Sequence, residues 1–242
     1  MNVYLQPHSD DICFSLGAFA FNRHCGVVLT VCPISGYVPT SPGKKRPLAR
    51  LVTETRMEED RAFCRACGLE ARFLNIPCSS YLGYEPFDLG RVDENMQRIG
   101  EPMIDELRTL AMEGKYETRP WLFCPGGIGG HVDHMAIRMA VSKHYRELST
   151  NYRIAFYEDL HYASDANARV LGVTRLLNAM GRRRLHRYIF PIGRHITNKL
   201  ALINLYPSQF LESPRSITQF TPATKPRSAP HEAIWSEANP LA

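Results

Sequence analysis

The chain has 242 residues, of which 44% are hydrophobic and 22% are charged. This is the composition of a globular protein, and the length fits one α/β domain, so residues 1–242 are predicted to form a single domain. A formal net charge of +5 is too small for a dedicated nucleic-acid-binding protein, and no nucleic-acid partner is expected.

The first residues and the cysteines indicate where the protein resides. Residues 1–8 show no basic segment followed by an apolar one, and no apolar stretch is long enough to predict a transmembrane segment. Seven cysteines, an odd number, do not suggest the disulfide framework of a secreted protein. A cytoplasmic location is therefore expected, and the oligomeric state is left open.

Short apolar runs alternate with helical patterns up to about residue 160, which is typical of βαβ units. Strands are predicted at 3–6, 27–32, 71–76, 120–124 and 153–157, and helices at about 11–23, 48–68, 93–113 and 131–148. The segment 37–47 is predicted to be a loop because it is rich in proline. The predicted fold is a Rossmann-like three-layer sandwich with a mostly parallel sheet flanked by helices.

The later part of the chain differs in composition. Residues 166–211 contain eight Lys and Arg but no Asp or Glu. This basic segment suggests a phosphate-bearing substrate or an anionic membrane surface, unless it is only a solvated face. Residues 213–242 are rich in Pro, Ser and Ala, and they are predicted to form an irregular C-terminal tail.

Two histidine and carboxylate clusters follow predicted strands. Pro7-His8-Ser9-Asp10-Asp11 comes directly after the first strand, and His131-Val132-Asp133-His134 follows the fourth strand and a glycine-rich turn. Ligands bind where the carboxyl ends of parallel strands meet. If the two strands are neighbours, the clusters lie close together.

A catalytic zinc ion typically has three protein ligands, drawn from imidazole nitrogen and carboxylate oxygen, and an open position for water. His8, Asp11 and His134 would provide this set, although the same set also accepts other divalent metals such as Fe²⁺. Asp10 would then be free to take a proton from the water. The alternative is that Asp10 and Asp11 only cap the first helix.

His131 and Asp133 complete the predicted site. His131 could face the substrate and either polarise the acyl carbonyl or protonate the leaving amine. Asp133, near a helix N-terminus, could orient a catalytic or ligating imidazole.

The two clusters resemble the motifs of the LmbE-like, or PIG-L, N-acetylglucosaminyl deacetylases. Pro7 to Asp11, with Gly17, is similar to the family's (P/H)-H-P-D-D segment, and Ser9 replaces the usual proline. His131 to His134 is similar to its H-x-D-H. The resemblance implies zinc bound by His8, Asp11 and His134, and Asp10 as general base. It also implies that His131 stabilises the tetrahedral intermediate or acts as an acid, with Asp133 tuning it.

Weaker similarities extend the resemblance. Arg56-x-x-Glu59 is similar to a family helix in which the arginine contacts sugar hydroxyls, so Arg56 is a candidate substrate-binding residue; a surface salt bridge is the alternative. The segments Tyr157–Tyr162 and Lys199–Gln209 also resemble family motifs.

The residues predict a metal-dependent hydrolase, and the resemblance implies that it removes an N-acyl group, usually acetyl, from an amino-sugar substrate. Alternatives are an amidase of a thiol conjugate, a deacylase of an antibiotic glycoside, and a non-catalytic sugar-binding relative. A nucleotide-dependent oxidoreductase is disfavoured, because His8 to Asp11 follow the first strand in place of a G-x-G-x-x-G turn.

Overall fold

The structure is a computed structural model that describes residues 1–39, 47–114, 118–224 and 228–241. Its strands are β1 (Val3–Gln6), β2 (Val27–Thr30), β3 (Glu70–Phe73), β4 (Trp121–Pro125), β5 (Arg153–Tyr157), β6 (His186–Pro191) and β7 (His231–Ser236). Its α-helices are α1 (Asp11–Arg23), α2 (Ala49–Cys67), α3 (Val92–Glu113), α4 (Val132–Lys143), α5 (Tyr145–Asn151), α6 (Ala166–Met180) and α7 (Ile196–Ile203). Residues 40–46 of the predicted loop lie outside the described residues.

The strands form one sheet in the order β3-β2-β1-β4-β5-β7-β6. The first five strands in this order are parallel to one another. Strand β7 is antiparallel to both of its neighbours, β5 and β6. The α/β fold agrees with the prediction, but the sheet is mixed, and only its first five strands are parallel throughout.

The last strand corrects the prediction for the C-terminal segment. Residues 231–236 form β7, which inserts between β5 and β6, so the prediction of an irregular tail was wrong for this part of 213–242. Burial explains why this strand forms, since its residues Ala233 and Ile234 are almost fully buried. The flanking Pro and Ser residues dominate the composition of the segment and concealed this short strand.

The sheet is covered on both faces. Alternate residues of a strand point to opposite faces, and Val3 and Leu5 belong to one apolar cluster while Tyr4 belongs to the other. The Val3 cluster includes side chains of α3, α4 and α6, and the Tyr4 cluster includes side chains of α1, α2 and α7. The result is a helix–sheet–helix arrangement of three layers.

Strands β1 and β4 are adjacent and parallel, with Tyr4 opposite Phe123. The carboxyl ends of the two strands therefore lie side by side, at the point where the strand order changes direction, which is the usual ligand-binding position in such sheets. The predicted proximity of the two histidine clusters follows from this pairing.

In the described part of the chain, no helix combines the length and the apolar character that crossing a membrane requires.

A buried ion pair attaches β7 to helices α1 and α7, which cover the face of the sheet that contains Tyr4. The Lys199 ammonium lies 2.6 Å from a Glu232 carboxylate oxygen, and both side chains are fully buried. The Glu232 carboxylate also accepts hydrogen bonds from the backbone N–H groups of Ala18 and Phe19 in α1. Lys199 donates in addition to the Phe14 carbonyl. The pair thus connects α1, α7 and β7.

Replacing one member of this pair should destabilise the fold, because it leaves the other charge buried without its partner. Lys199→Met is expected to lower the free energy of unfolding by about 3–5 kcal/mol in urea denaturation. The exposed pair of Arg50 and Glu54 provides the control, since Arg50→Met should change the same quantity by less than about 1 kcal/mol. Equal effects of the two substitutions would contradict this account of Lys199.

Candidate metal and catalytic site

The three predicted metal ligands come together at the ends of β1 and β4. One nitrogen of His8, one nitrogen of His134 and one oxygen of Asp11 lie within 4.8 Å of one another. His8 Nδ1 and His134 Nε2 are each 3.4 Å from an Asp11 oxygen. Two ligands about 2.0–2.2 Å from a shared zinc ion at a tetrahedral angle would be separated by roughly the same distance.

Each imidazole is oriented by a carboxylate on its far side. His8 Nε2 donates to Asp133 Oδ2 at 2.8 Å, which leaves Nδ1 with its lone pair toward Asp11. His134 Nδ1 donates to Asp159 Oδ1 at 2.7 Å, which leaves the lone pair on Nε2. Carboxylates commonly orient metal-binding histidines in this way.

The His134 ring provides an independent sign that a cation fits here. Its Nε2 is buried and has no hydrogen-bond partner among the described residues. Buried polar atoms are nearly always satisfied, so an orphaned imidazole nitrogen facing a carboxylate is best explained by a ligand. The residues present therefore fit a divalent metal.

A second set, made of His8, His131 and Asp133, is also compact enough to bind an ion. Its donor atoms are already engaged, however. The Asp133 carboxylate accepts hydrogen bonds from His8, from Ser79 and from Asn95. The set of His8, Asp11 and His134 is the better metal site.

Asp10 lies beside the metal ligands in an unusual backbone conformation. It occupies the N-cap position of α1 with φ at 145°, a region that non-glycine residues seldom adopt, and its side chain makes no capping hydrogen bond. Strain of this kind is typical of functional sites. The carboxylate of Asp10 instead pairs with Arg56, so the helix-cap alternative does not account for it.

Arg56 of α2 is a partner of Asp10 in a buried contact. Its Nη2 lies 3.0 Å from Asp10 Oδ2 and also donates to the Ser9 carbonyl at 3.2 Å. The alternative for Arg56 was a surface salt bridge, and the salt bridge that it forms is buried instead. Arg56 lines the same cavity as Asp10, which leaves open a contact with substrate.

A segment late in the chain completes the surroundings of Asp10. With its amide oriented to satisfy both neighbours, Gln209 donates to Asp10 Oδ2 and accepts from Arg56 Nε, each at 3.2 Å. Ser208 next to it bonds the Glu59 carboxylate of α2 through its backbone N–H and its hydroxyl. Glu59 therefore fixes the segment that brings Gln209 onto Asp10.

The carboxyls of Asp10 and Asp11 differ electrostatically. Burial raises the pKa of Asp10 above its usual range, and the Arg56 guanidinium only partly opposes this rise. Burial also acts on Asp11, but His134 and His8 outweigh it and depress the pKa of Asp11. Asp11 is therefore suited to be an ionised metal ligand. Asp10 is suited to gain a proton.

His131 lies directly before α4 and lines the cavity. Its Nδ1 accepts a hydrogen bond from the backbone N–H of Asp133 at 3.2 Å, so the ring proton resides on Nε2. Burial, together with the nearby His8 and His134, lowers the pKa of His131 to about 3. The ring is therefore neutral, with one N–H available to donate.

Asp133 contacts a different histidine from the one that the resemblance implies. Its carboxylate bonds His8 Nε2 at 2.8 Å and lies 4.0 Å from His131 Nδ1. The reason is local: the backbone N–H of Asp133 occupies the near nitrogen of His131, while Ser79 and Asn95 draw the carboxylate the other way. The Asp133 carboxylate therefore acts on His131 only through its charge, at 4.0 Å, and its hydrogen bond goes to His8.

These groups surround one cavity of about 290 Å³. Its wall contains the polar side chains of His8, Asp10, Asp11 and His131, and aromatic side chains stand around them: Phe14, Tyr37, Phe87, Tyr162 and Phe210. No Lys or Arg of the basic segment 166–211 is among the described residues that line it. Two of that segment's arginines, Arg169 and Arg187, instead pair with the buried Glu158.

Sequence reasoning missed several of these contacts. Asp159 lies two residues after the end of β5, so the rule that located the other two clusters could have found it. Ser79 and Asn95, which hold the Asp133 carboxylate, lie in a 3₁₀ turn and within α3, where no strand end or motif marks them.

The comparisons with known proteins agree with this architecture. No family model matches the sequence. The chain is 30% identical over 176 residues to 2'-N-acetylparomamine deacetylase from Streptomyces fradiae, an alignment that covers 69% of this chain and 59% of that protein. The chain thus spans about three fifths of the length of the curated relative that it matches.

Solved structures show the same fold. A deacetylase from the teicoplanin biosynthesis pathway superposes with a TM-score of 0.70 at 18% identity, covering 96% of both chains. The A40926 pseudoaglycone deacetylase Dbv21 gives a TM-score of 0.65 at 21% identity, covering 97% of this chain and 95% of that one. A zinc-inhibited form of teicoplanin deacetylase Orf2 gives a TM-score of 0.66 at 19% identity, covering 96% of both chains.

The carboxylates behind the two imidazoles should control metal affinity. Asp159→Asn and Asp133→Asn are each expected to weaken Zn²⁺ binding about 10- to 100-fold, because the imidazoles lose their anionic hydrogen-bond acceptors. Titration of the metal-free protein against a chromophoric chelator measures this change. Asp105→Asn, on the exposed side of α3, is the matched control and should bind Zn²⁺ as the unmodified protein does. Unchanged affinity in both test variants would refute the assignment.

Proposed function

We propose that this protein is a metal-dependent N-deacetylase that hydrolyses the acetamide of an amino sugar. One observation carries the proposal: three groups occur together at one cavity. These are a set of ligands that fits a divalent metal, the Asp10 carboxyl, which can accept a proton, and the neutral N–H donor of His131. The similarity to 2'-N-acetylparomamine deacetylase supports the acetyl group and the amino sugar. The LmbE-like motifs support the same chemistry.

Zinc is the proposed metal, bound by His8, Asp11 and His134. Two imidazoles and one carboxylate are a common catalytic zinc set and leave a position open. When bound, such an ion makes a water more acidic and polarises a carbonyl group. The two carboxylates Asp133 and Asp159 accept from the other nitrogen of each ring, which fixes the orientation of the ligating nitrogens and makes them more basic.

Asp10 is the proposed general base. Its carboxylate lines the cavity beside Asp11, and it takes a proton from the attacking water. Arg56 and Gln209 fix the orientation of the carboxylate. The proton that Asp10 gains can then pass to the departing amine, so that acetate and a free amino sugar result.

His131 is the proposed donor to the acyl oxygen. Its Nε2–H is fixed as a donor by the hydrogen bond that Nδ1 accepts. Because the neutral ring keeps its proton near pH 7, it can stabilise negative charge that develops on the oxygen.

The cavity also favours a particular type of substrate. Its volume of about 290 Å³ is at the small end of ligand pockets, and its aromatic walls suit the apolar face of a sugar ring. Because no Lys or Arg of the basic segment is among the described residues that line the wall, the proposal includes no phosphate group on the substrate.

The proposal predicts that the Zn²⁺-loaded protein releases acetate from at least one amino sugar. A panel of 2'-N-acetylparomamine, N-acetylglucosamine conjugates and an N-acetylated thiol conjugate, followed by mass spectrometry, tests this. Turnover of the thiol conjugate alone would favour the amidase alternative. A fully zinc-loaded protein that binds these sugars but converts none would instead be a non-catalytic relative.

The roles of Asp10 and His131 can be tested with the substrate so found. Asp10→Asn removes the proton acceptor and His131→Ala removes the donor, so each should lower kcat by about a hundredfold or more while Zn²⁺ stays bound. The exposed His186 on β6 and Asp105 on α3 give matched controls, and His186→Ala and Asp105→Asn should leave kcat unchanged. Near-normal kcat in either test variant would exclude its assigned role.

A further inference from the structure

Gln6 is a buried polar residue to which the proposed mechanism gives no role. It is the last residue of β1, and no part of it is exposed to solvent. A buried amide needs hydrogen-bond partners, because it has lost those that water would provide. One partner of Gln6 lies in the first turn of α1, immediately after Asp10 and Asp11.

The amide oxygen of Gln6 caps helix α1. Its Oε1 accepts a hydrogen bond from the backbone N–H of Ile12 at 2.9 Å. Ile12 is the second residue of the helix, and the N–H groups of the first turn have no partner within a helix. The side chain of the N-cap residue usually accepts from this N–H or from the next one. Here the N-cap residue is Asp10, and Gln6 accepts in its place.

Neighbouring elements hold the Gln6 amide in one orientation. Its Nε2 donates to Thr30 Oγ1 on β2 at 2.8 Å and to Asp60 Oδ2 on α2 at 2.7 Å. Asp60 also accepts from the hydroxyls of Thr30 and Tyr206, so its carboxylate is surrounded by donors. Since an ionised carboxylate can only accept, the nitrogen of the amide faces Asp60 and the oxygen faces Ile12.

The cap from β1 leaves the Asp10 carboxylate free for another task. The backbone carbonyl of Asp10 accepts the first helical hydrogen bond, from the Phe14 N–H at 2.9 Å, as that of an N-cap residue does. Its carboxylate, however, makes no capping hydrogen bond; it lies 3.0 Å from Arg56 Nη2 and lines the cavity. Aspartate is among the best capping residues, so an uncapped Ile12 N–H would compete for this carboxylate.

We propose that Gln6 is a positioning residue that replaces Asp10 as the side-chain cap of α1, and that it thereby leaves the Asp10 carboxylate in the cavity as the general base. This inference rests on the proposed deacetylation. Gln6 is not among the described residues that line the cavity, so it acts through Asp10. Without the Gln6 oxygen, the Asp10 carboxylate turns to the Ile12 N–H and is withdrawn from the attacking water.

Gln6→Met tests the cap, since it removes the amide and keeps an unbranched side chain of similar length. On the substrate identified from the panel, kcat should fall about tenfold, because capping now competes for the base, while KM stays nearly unchanged. Gln97→Met makes the same substitution at an exposed position of α3 and should leave kcat unchanged. A rise in KM at constant kcat would overturn the proposal.

A double-mutant cycle distinguishes an effect through Asp10 from a general structural effect. In the Asp10→Asn background, Gln6→Met should cause no further loss of kcat, because the group through which it acts has already been changed. A merely structural role would lower kcat by the same factor in both backgrounds. That result would overturn the proposal.

A second variant keeps the cap by other means. Gln6→Glu combined with Asp60→Asn exchanges the carboxylate and the amide between the two positions. The new carboxylate can accept from Ile12 and Thr30, and the new amide can donate to it and accept from Tyr206. We expect kcat close to that of the unmodified protein. A loss as large as that in Gln6→Met would show that the acceptor at Ile12 is not what Gln6 provides.

A crystal structure of Gln6→Met gives a result that does not depend on the reaction. The Asp10 carboxylate should lie within hydrogen-bond distance of the Ile12 nitrogen and no longer on Arg56. If the unmodified protein deacetylates a panel member but the carboxylate stays on Arg56, only the role of Gln6 is wrong. If the zinc-loaded, unmodified protein converts no panel member, the proposed function is wrong, and the structure of the variant alone decides whether Gln6 replaces Asp10 as the cap.

Discussion

The parallel pairing of β1 with β4 is the constraint on which the candidate site depends. The two strands are far apart in the chain, and their register places Tyr4 opposite Phe123. Each strand ends in a turn that bears histidine and carboxylate groups, so one strand pairing brings both groups together. Helices on the two faces of the sheet fix the pairing through two separate apolar clusters.

Burial of charge is the second organising feature of the molecule. Burying an ionised group without a partner is costly, and here every buried carboxylate near the site has a specific partner. Asp133 and Asp159 each accept from an imidazole, and Asp10 accepts from a guanidinium. The same contacts that lower this cost also fix the direction of each ligand, so stability and preorganisation arise from one set of hydrogen bonds.

The sequence predicted the parts of the site that follow from strand ends. His8, Asp11 and His134 meet as expected, because the carboxyl ends of neighbouring parallel strands share an edge. The partner of Asp133 could not be predicted in this way, since Ser79 and Asn95 direct it from non-local positions. The first five strands were predicted from apolar runs. Strand β7 was not, because its environment is created only by β5 and β6 on either side.

The position of β7 has a consequence for how the chain folds. Among the described residues, strand β6 pairs with the sheet only through β7, which comes some forty residues later, at His231–Ser236. During synthesis, β6 therefore has no strand to pair with until residues 231–236 have emerged. Pairings between residues so far apart form slowly, because the intervening loop must close first. The N-terminal strands can assemble early, whereas the far edge of the sheet is completed last.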